Sequence, residues 1–460
     1  MHTATQNAAA AREPAPTAAN PPTVIVETTL LERLFQLRRH GTTANTELIA
    51  GLTTFLTMAY IIFVNPSILG DAGMPKGAVF VATCLIAALG TLIMGLYANY
   101  PIALAPGMGL NAYFAYVVVL GMGLKWQVAL GAVFISGCLF LIVTLFRLRK
   151  LIIHGIPQSL RIGITVGIGM FLAIIALKSA GIVAPSKATY VTLGDLHQPS
   201  VILSVVGFFA IVALDRLGVR GAILIGILLV TVLSFFFAGN KFDGVIAMPP
   251  SIAPTFLQLD IKGALGVGVF NVILVFFLVE LFDATGTLLA VVRRAGLLSD
   301  DRMDRMNKAL LADSCAIFAG SLLGTSSTTA YVESAAGVQA GGRTGLTAVA
   351  VAVLFLACLF ISPLAGAVPA YATAPALLYV ASLMLRELTD LNWDETTDAV
   401  PAVVTALAMP LTYSIANGLA FGFISYAALK LLTGQWRSVH PMSWIIGAVF
   451  LFRFVYVGGH

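Results

Sequence analysis

Long apolar runs separated by short polar links set the pattern of this chain. Residues 78–99, 128–146 and 346–363 are almost unbroken apolar stretches. At about 1.5 Å per helical residue, each is long enough to cross roughly 30 Å of hydrocarbon. The same pattern places spans near 48–67, 78–98, 104–120, 125–146, 157–178, 199–214 and 219–238. After a polar, Pro-containing stretch over 239–260, further spans fall near 264–291, 309–323, 329–339, 345–363, 368–385, 398–413 and 416–432. The prediction is an all-α polytopic membrane protein with fourteen transmembrane spans, seven in each half.

Composition supports a bilayer as the solvent. Of 460 residues, 59% are hydrophobic and only 10% charged, with a mean hydropathy of +0.95, too little polar surface to coat a water-soluble globule. A net charge of +5 raises the question of nucleic acid, but the basic residues sit in short clusters between apolar runs rather than on one face, so no nucleic-acid partner is expected. They set orientation instead. Arg38, Arg39, Arg147, Arg149, Lys150, Arg216, Arg220, Arg293, Arg294, Arg302, Arg305, Lys308 and Arg343 fall on one side, against scattered lysines such as Lys76, Lys187 and Lys241 on the other. The positive-inside rule makes the first side cytoplasmic, with both termini there and the chain multi-pass in the inner (plasma) membrane.

The tails add little. Residues 1–22, rich in Ala, Pro and Thr, lack the apolar core of a signal peptide, and 1–37 reads as a disordered cytoplasmic tail. Residues 442–457 are apolar but contain Arg453; 436–460 is read as a C-terminal surface helix or an extra span, the surface helix being favoured. Cys84, Cys138, Cys315 and Cys358 all lie in apolar segments without CxxC spacing, which points to small core residues rather than a disulfide or metal framework. No pair among the six histidines has zinc-ligand spacing. Neither an enzyme nor a resident cofactor is indicated.

An odd number of spans per half inserts the halves in opposite orientations, the arrangement of inverted-repeat transporters. Pro-Gly-Met-Gly-Leu-Asn-Ala-Tyr at 106–113 and Gly-Thr-Ser-Ser-Thr-Thr-Ala-Tyr at 324–331 occupy the third position of each half. Both open segments too short, or too rich in Gly, Pro and Thr, for an ordinary spanning helix. Paired broken spans, here spans 3 and 10, point to a binding site.

Acids at membrane depth cost several kcal/mol unless paired, protonated or facing a polar cavity. Glu280 and Asp283 follow the run Ile-Leu-Val-Phe-Phe-Leu-Val at 273–279 and share a helix face with Thr287. Glu333 sits beyond the hydroxyl-rich strip at 325–329. The competing readings are an internal pair satisfied by backbone or hydroxyls for Glu280 and Asp283, and a capping acid at a helix start for Glu333. Asn111 offers both a donor and an acceptor at the opposing break, or serves as a left-handed turn residue.

The segments 47–66, from Glu-Leu-Ile-Ala-Gly-Leu-Thr-Thr-Phe to Phe-Val-Asn-Pro, and 100–114, Tyr-Pro-Ile-Ala-Leu-Ala-Pro-Gly-Met-Gly-Leu-Asn-Ala-Tyr-Phe, resemble the azaguanine-type purine permeases of the nucleobase/cation symporter-2 (xanthine/uracil permease) class. Glu-Leu-Phe-Asp-Ala-Thr-Gly-Thr-Leu at 280–288 and Tyr-Val-Glu-Ser-Ala-Ala-Gly at 331–337 are similar to that family's eighth-span and tenth-span motifs, and the similarity runs from about 38 to 440. The resemblance implies two inverted seven-span repeats, 38–240 and 241–435. Core parts would be 38–147 and 262–364, and gate parts 148–240 and 365–435. It implies a substrate site of Glu280, Glu333, Asn111 and Gly109, supported by Asp283. Relatives commonly carry Asp at the position of Glu280.

A purine's edge needs a few placed donors and acceptors in an otherwise apolar pocket. Guanine offers its N1 and N2 hydrogens side by side to a carboxylate, whereas adenine offers one acceptor beside one donor. The expected substrates are therefore purine nucleobases, with hypoxanthine and guanine favoured over adenine. Tyr113, Phe282 and Tyr331 are candidates to stack on the ring, against an ordinary core role. Protonation of Glu280, or of Asp283, is the expected energy coupling, making a proton the coupling ion of a symporter. The alternative is a facilitator or channel for another small solute or anion on the same fold. The expected partners are the purine and membrane lipid; self-association as a homodimer is left open by featureless gate helices.

Overall fold

A computed structural model describes residues 29–146, 155–239, 244–266, 269–294 and 303–456, less some side chains within helices, those of Phe282, Asp283, Arg293, Arg294 and Arg453 among them. The expected tail up to residue 28 and the expected boundaries at 147/148 and 240/241 lie outside the described residues.

Helices account for the whole apolar pattern. In the first half, α1 (Leu30–Phe35) precedes α2 (Ala44–Met58) and α3 (Ile61–Asp71), two halves of the first span, and α4 (Lys76–Ile93). Strand β1 (Leu104–Pro106) leads into α5 (Met108–Ala112), which continues as a wide turn over Tyr113–Val119. Then come α6 (Trp126–Leu145), α7 (Gln158–Ser179), the hairpin β2 (Val183–Ser186) and β3 (Tyr190–Leu193), α8 (Pro199–Arg216) and α9 (Ala222–Phe237). The second half runs through α10 (Ile261–Ala264), α11 (Phe270–Arg294), α12 (Met303–Leu323), β4 (Thr328–Ala330), α13 (Ser334–Gln339), α14 (Gly345–Ala357), α15 (Ser362–Ala367), α16 (Ala370–Leu385), α17 (Thr396–Leu411), α18 (Ile415–Leu432) and α19 (Pro441–Tyr456). Among the described residues, eight helical stretches are by themselves long and apolar enough to cross a membrane. The remaining predicted spans are shorter or broken helices at the expected places, apart from the ninth, which lies in α12, a helix of 21 residues that begins among charged side chains.

The repeats meet at β1 and β4. They pair antiparallel, with Leu104 opposite Ala330, Ala105 opposite Thr329 and Pro106 opposite Thr328. Each is three residues long and precedes a short helix in the third position of its half. Two such strands satisfy one another's backbone groups where neither span is helical, as an unwound segment inside a membrane protein requires. The fold is thus two inverted seven-span repeats with broken spans 3 and 10.

Packing separates a core from a gate. In the core, α2 and α4 pack on α14, and α6 and α4 on α12; in the gate, α7 packs on α16 and α17, and α8 on α9 and α16. Many outward-facing side chains along the helices are large and apolar, including Leu145, Phe209, Phe236 and Leu411, which suits hydrocarbon rather than water. Cys84 and Cys358 are buried, whereas Cys138 and Cys315 are only half-buried.

One buried carboxylate holds the core together. Glu47, fully buried in α2, accepts the N–H groups of Arg343 (2.8 Å), Thr344 (3.2 Å) and Thr347 (3.3 Å) and the Thr347 hydroxyl (2.6 Å). These donors surround the amino end of α14, whose first N–H groups have no partner within the helix and whose dipole favours an anion.

The amino-terminal end departs in part from expectation. The last stretch of the expected disordered tail is ordered: Thr29 caps α1, and Phe35 and Leu37 are buried against Leu346. At the other end, α19 packs on α18 through Phe423 and Phe450 and through Phe421 and Phe454.

Candidate functional site

The break in the first span supplies the first component. Helix α2 ends at Met58 and α3 begins at Ile61, leaving Tyr60 fully buried at the joint. Its hydroxyl donates to Glu333 Oε1 at 2.6 Å. Glu333 is half-buried at the start of α13 and makes no side-chain cap hydrogen bond. The capping reading of this acid therefore does not hold; its carboxylate is directed to Tyr60 across the core.

Tyr331, two residues earlier, is buried with its hydroxyl donating to the Pro106 carbonyl at 2.6 Å. It ties one broken span to the other. The Tyr331 N–H reaches the Ala103 carbonyl at 3.0 Å, the Ala103 N–H reaches Ser334 Oγ at 3.0 Å, and the Gly107 N–H reaches the Ser327 carbonyl at 2.9 Å. The crossing is thus fixed from both sides.

Asn111 lies within helical backbone in α5, which removes the left-handed-turn reading. It is fully buried, and its Oδ1 accepts the Ser326 hydroxyl. Among the described residues its Nδ2 has no hydrogen-bond partner, and neither do the buried hydroxyls of Ser327, Thr328 and Thr329. Buried polar groups without partners are uncommon and call for an explanation. Here four cluster at the crossing of two broken spans. Asn65 braces the same strip, donating to Thr83 Oγ1 at 2.7 Å and Thr325 Oγ1 at 2.9 Å.

Glu280 completes the set. It is 1% exposed, and its Oε2 accepts the Ser136 hydroxyl of α6 at 2.9 Å. Helix α11 packs against β4, α5 and α13, so the element bearing Glu280 adjoins those bearing Asn111 and Glu333. One turn before Glu280, Phe276 meets Tyr113 edge to face, with ring centroids 5.0 Å apart. The side chains of Phe282 and Asp283 lie outside the described residues. At Gly109, an added Cβ would stand 2.5 Å from Ile168 Cγ2 of α7. Glycine is what allows the third span to lie against a gate helix.

Several participants escape sequence reading. Tyr60 sits in a continuous apolar run with no local sign of the joint beneath it, and Ser136 is a hydroxyl in the middle of the apolar α6, a signal that is visible but weak. Asp313 is a further acid fully buried in the core helix α12, hidden in the sequence by the charged residues at the start of that helix. Removing the Tyr60 hydroxyl tests whether it positions Glu333. Tyr60→Phe should raise the apparent KM for an expected purine substrate by about tenfold or more with unchanged membrane expression, the effect of losing one hydrogen bond to a charged group; an unchanged KM would rule out that role.

The model of the Permease family (Xan_ur_permease) matches residues 45–454. The chain is 49% identical to the adenine permease AdeP of Escherichia coli K12 over 94% of its own length and 97% of that protein. It is 46% identical to the guanine/hypoxanthine permease PbuO of Bacillus subtilis, over 91% of this chain and 99% of the other. Among solved structures, the transmembrane domain of the cyanobacterial bicarbonate transporter BicA superposes with a TM-score of 0.62 at 17% identity, covering 81% of this chain and 96% of that one.

Proposed function

This chain belongs to the Permease family, and from that premise we propose that it is a secondary transporter importing purine nucleobases by proton symport. The observation that carries the proposal is the cluster of unspent buried polar groups at the strand crossing, Asn111 Nδ2 foremost, beside elements that bring Glu280 and Glu333. Few, placed donors and acceptors within an apolar bundle suit a flat heterocycle. A carboxylate takes the N1–H edge of a 6-oxopurine, and the Asn111 amide donates to an acceptor on another edge. The names of the relatives, adenine permease and guanine/hypoxanthine permease, support a purine. Hypoxanthine and guanine are favoured over adenine because two carboxylates supply acceptors, and adenine's edge requires a donor beside an acceptor.

Glu280 carries the coupling proton, with Asp283 next on the same helix. Alternating access follows from movement of the core (38–147 and 262–364) against the gate (148–240 and 365–435), with Gly109 against Ile168 at their contact. The basic clusters make that face cytoplasmic, with both termini on that side of the inner membrane. A facilitator for an anion is the other reading of this fold, but an anion site calls for a cation or unopposed helix starts where this chain places carboxylates.

Binding of tritiated hypoxanthine to purified protein tests the selectivity. Unlabelled guanine should displace the label at a concentration at least about tenfold below that of adenine, and Glu333→Gln should weaken binding about 100-fold, the range for removing a charged hydrogen-bond partner. Displacement by adenine at the lower concentration would reverse the selectivity, and full-strength binding by the variant would remove Glu333 from the site.

A further inference from the structure

At one end of the bundle lies a cavity of about 480 Å³ that the transport site does not use. It opens between α1, the last turn of the second span and the start of α12. Arg39, His40, Arg305 and Lys308 line it, and none of its described lining residues is acidic.

Its frame is ordered by specific bonds. The Arg305 guanidinium donates from Nε to the Ala98 carbonyl at 3.4 Å and from Nη2 to the Asn99 carbonyl, meets His40 Nε2 at 3.0 Å, and lies over the Tyr100 ring at 4.4 Å. A cation at these carbonyls complements the carboxyl end of the second span. Asn99, in the left-handed region with φ 53°, donates from Nδ2 to the Phe35 carbonyl at 3.2 Å and accepts the Gly345 N–H at 2.7 Å. These bonds fix α1 to the second and eleventh spans, so the cavity walls are packed elements. Arg305 and His40 serve the frame. Arg39 and Lys308 are exposed at the cavity, Lys308 Nζ standing 5.6 Å from the Tyr97 ring centroid.

The rim is apolar where a water-facing rim would be polar. Leu34 is 54% exposed, Leu96 57% and Tyr97 48%. Leucine and tyrosine bordering basic residues are the composition of a membrane–water boundary, with apolar parts toward acyl chains and rings at headgroup depth. A basic pocket between spans at that depth matches the phosphate of an anionic lipid. A zwitterionic headgroup brings its own cation toward Arg39 and Lys308 and loses most of that attraction.

We infer that this cavity is a binding site for an anionic phospholipid, with Arg39 and Lys308 facing the headgroup phosphate and Leu34 and Leu96 bordering the acyl chains. The bound lipid bridges α1 and α12, fastening the amino-terminal helix to the core. The inference requires only that the chain spans a membrane and is independent of which solute is carried.

Native mass spectrometry of the full chain in detergent, titrated with phosphatidylglycerol or phosphatidylcholine, tests it, with Arg39→Gln/Lys308→Gln as the variant. Both substituted residues are exposed and outside the transport site, so folding and purine uptake should be unchanged. At about fivefold per cation near the headgroup, the double variant should bind phosphatidylglycerol about 25-fold more weakly, and wild type should prefer it over phosphatidylcholine by a similar factor. Equal binding of the two lipids, or an unchanged affinity in the variant, overturns the site. Displacement of the lipid by millimolar inorganic phosphate would assign the cavity to a soluble anion and overturn the lipid assignment.

Discussion

Glu280→Gln should abolish uphill transport while sparing exchange. Glutamine matches the side chain in size and retains an oxygen to accept the Ser136 hydroxyl, which stands 2.9 Å from Glu280 Oε2; what it loses is the ability to take up and release a proton. With one proton carried per purine, each unit of pH difference supports about a tenfold concentration ratio. In proteoliposomes the native protein should reach that ratio and Glu280→Gln should stop at a ratio of about 1. Entrance counterflow, which needs binding and movement but no net proton transfer, should remain within about threefold of native. Accumulation equal to native would transfer the coupling role elsewhere, Asp283 first.

The second large effect is on assembly. Glu47→Ala strips a fully buried carboxylate from three backbone N–H groups and one hydroxyl around the start of α14. Donors left without an acceptor in a dry interior cost more than the bonds contributed, about 3 kcal/mol or more in sum. The unfolding temperature in detergent should fall by about 3 °C or more, and Glu47→Gln, keeping one acceptor oxygen, should fall between. A melting curve for Glu47→Ala that overlays the native one would mean that water replaces the carboxylate and that α2 and α14 are held by apolar contact alone.

Glu47 also marks where sequence reading stops. Its residue type and place in the 47–66 segment were plain, but the donors that occupy it come from nearly 300 positions away, and no local pattern encodes such a pairing. What was legible is what bilayer physics dictates locally. Hydrocarbon thickness fixes span length, so every predicted span has a helical or broken-helical counterpart. Unwound backbone needs Gly, Pro and hydroxyls, so the breaks at 106–113 and 324–331 stood out; β1 ends at the first residue of one, and β4 lies within the other. The acids at 280 and 333 stood out because charge at membrane depth is costly. Partners were hidden for the same reason as those of Glu47: Tyr60 and Ser136 touch the acids only through the fold. The ordering of α1 was hidden too, because six residues with three leucines carry too short a signal to separate a docked helix from a tail.

The most direct measurement of the central claim is uptake of radiolabelled hypoxanthine into proteoliposomes containing only this protein, under an imposed inward proton gradient of one pH unit. Hypoxanthine should accumulate to about ten times the external concentration, an accumulation collapsed by a protonophore and absent in Glu333→Gln. Uptake of no purine by correctly inserted protein, or uptake that only equilibrates and ignores the protonophore, would contradict the claim.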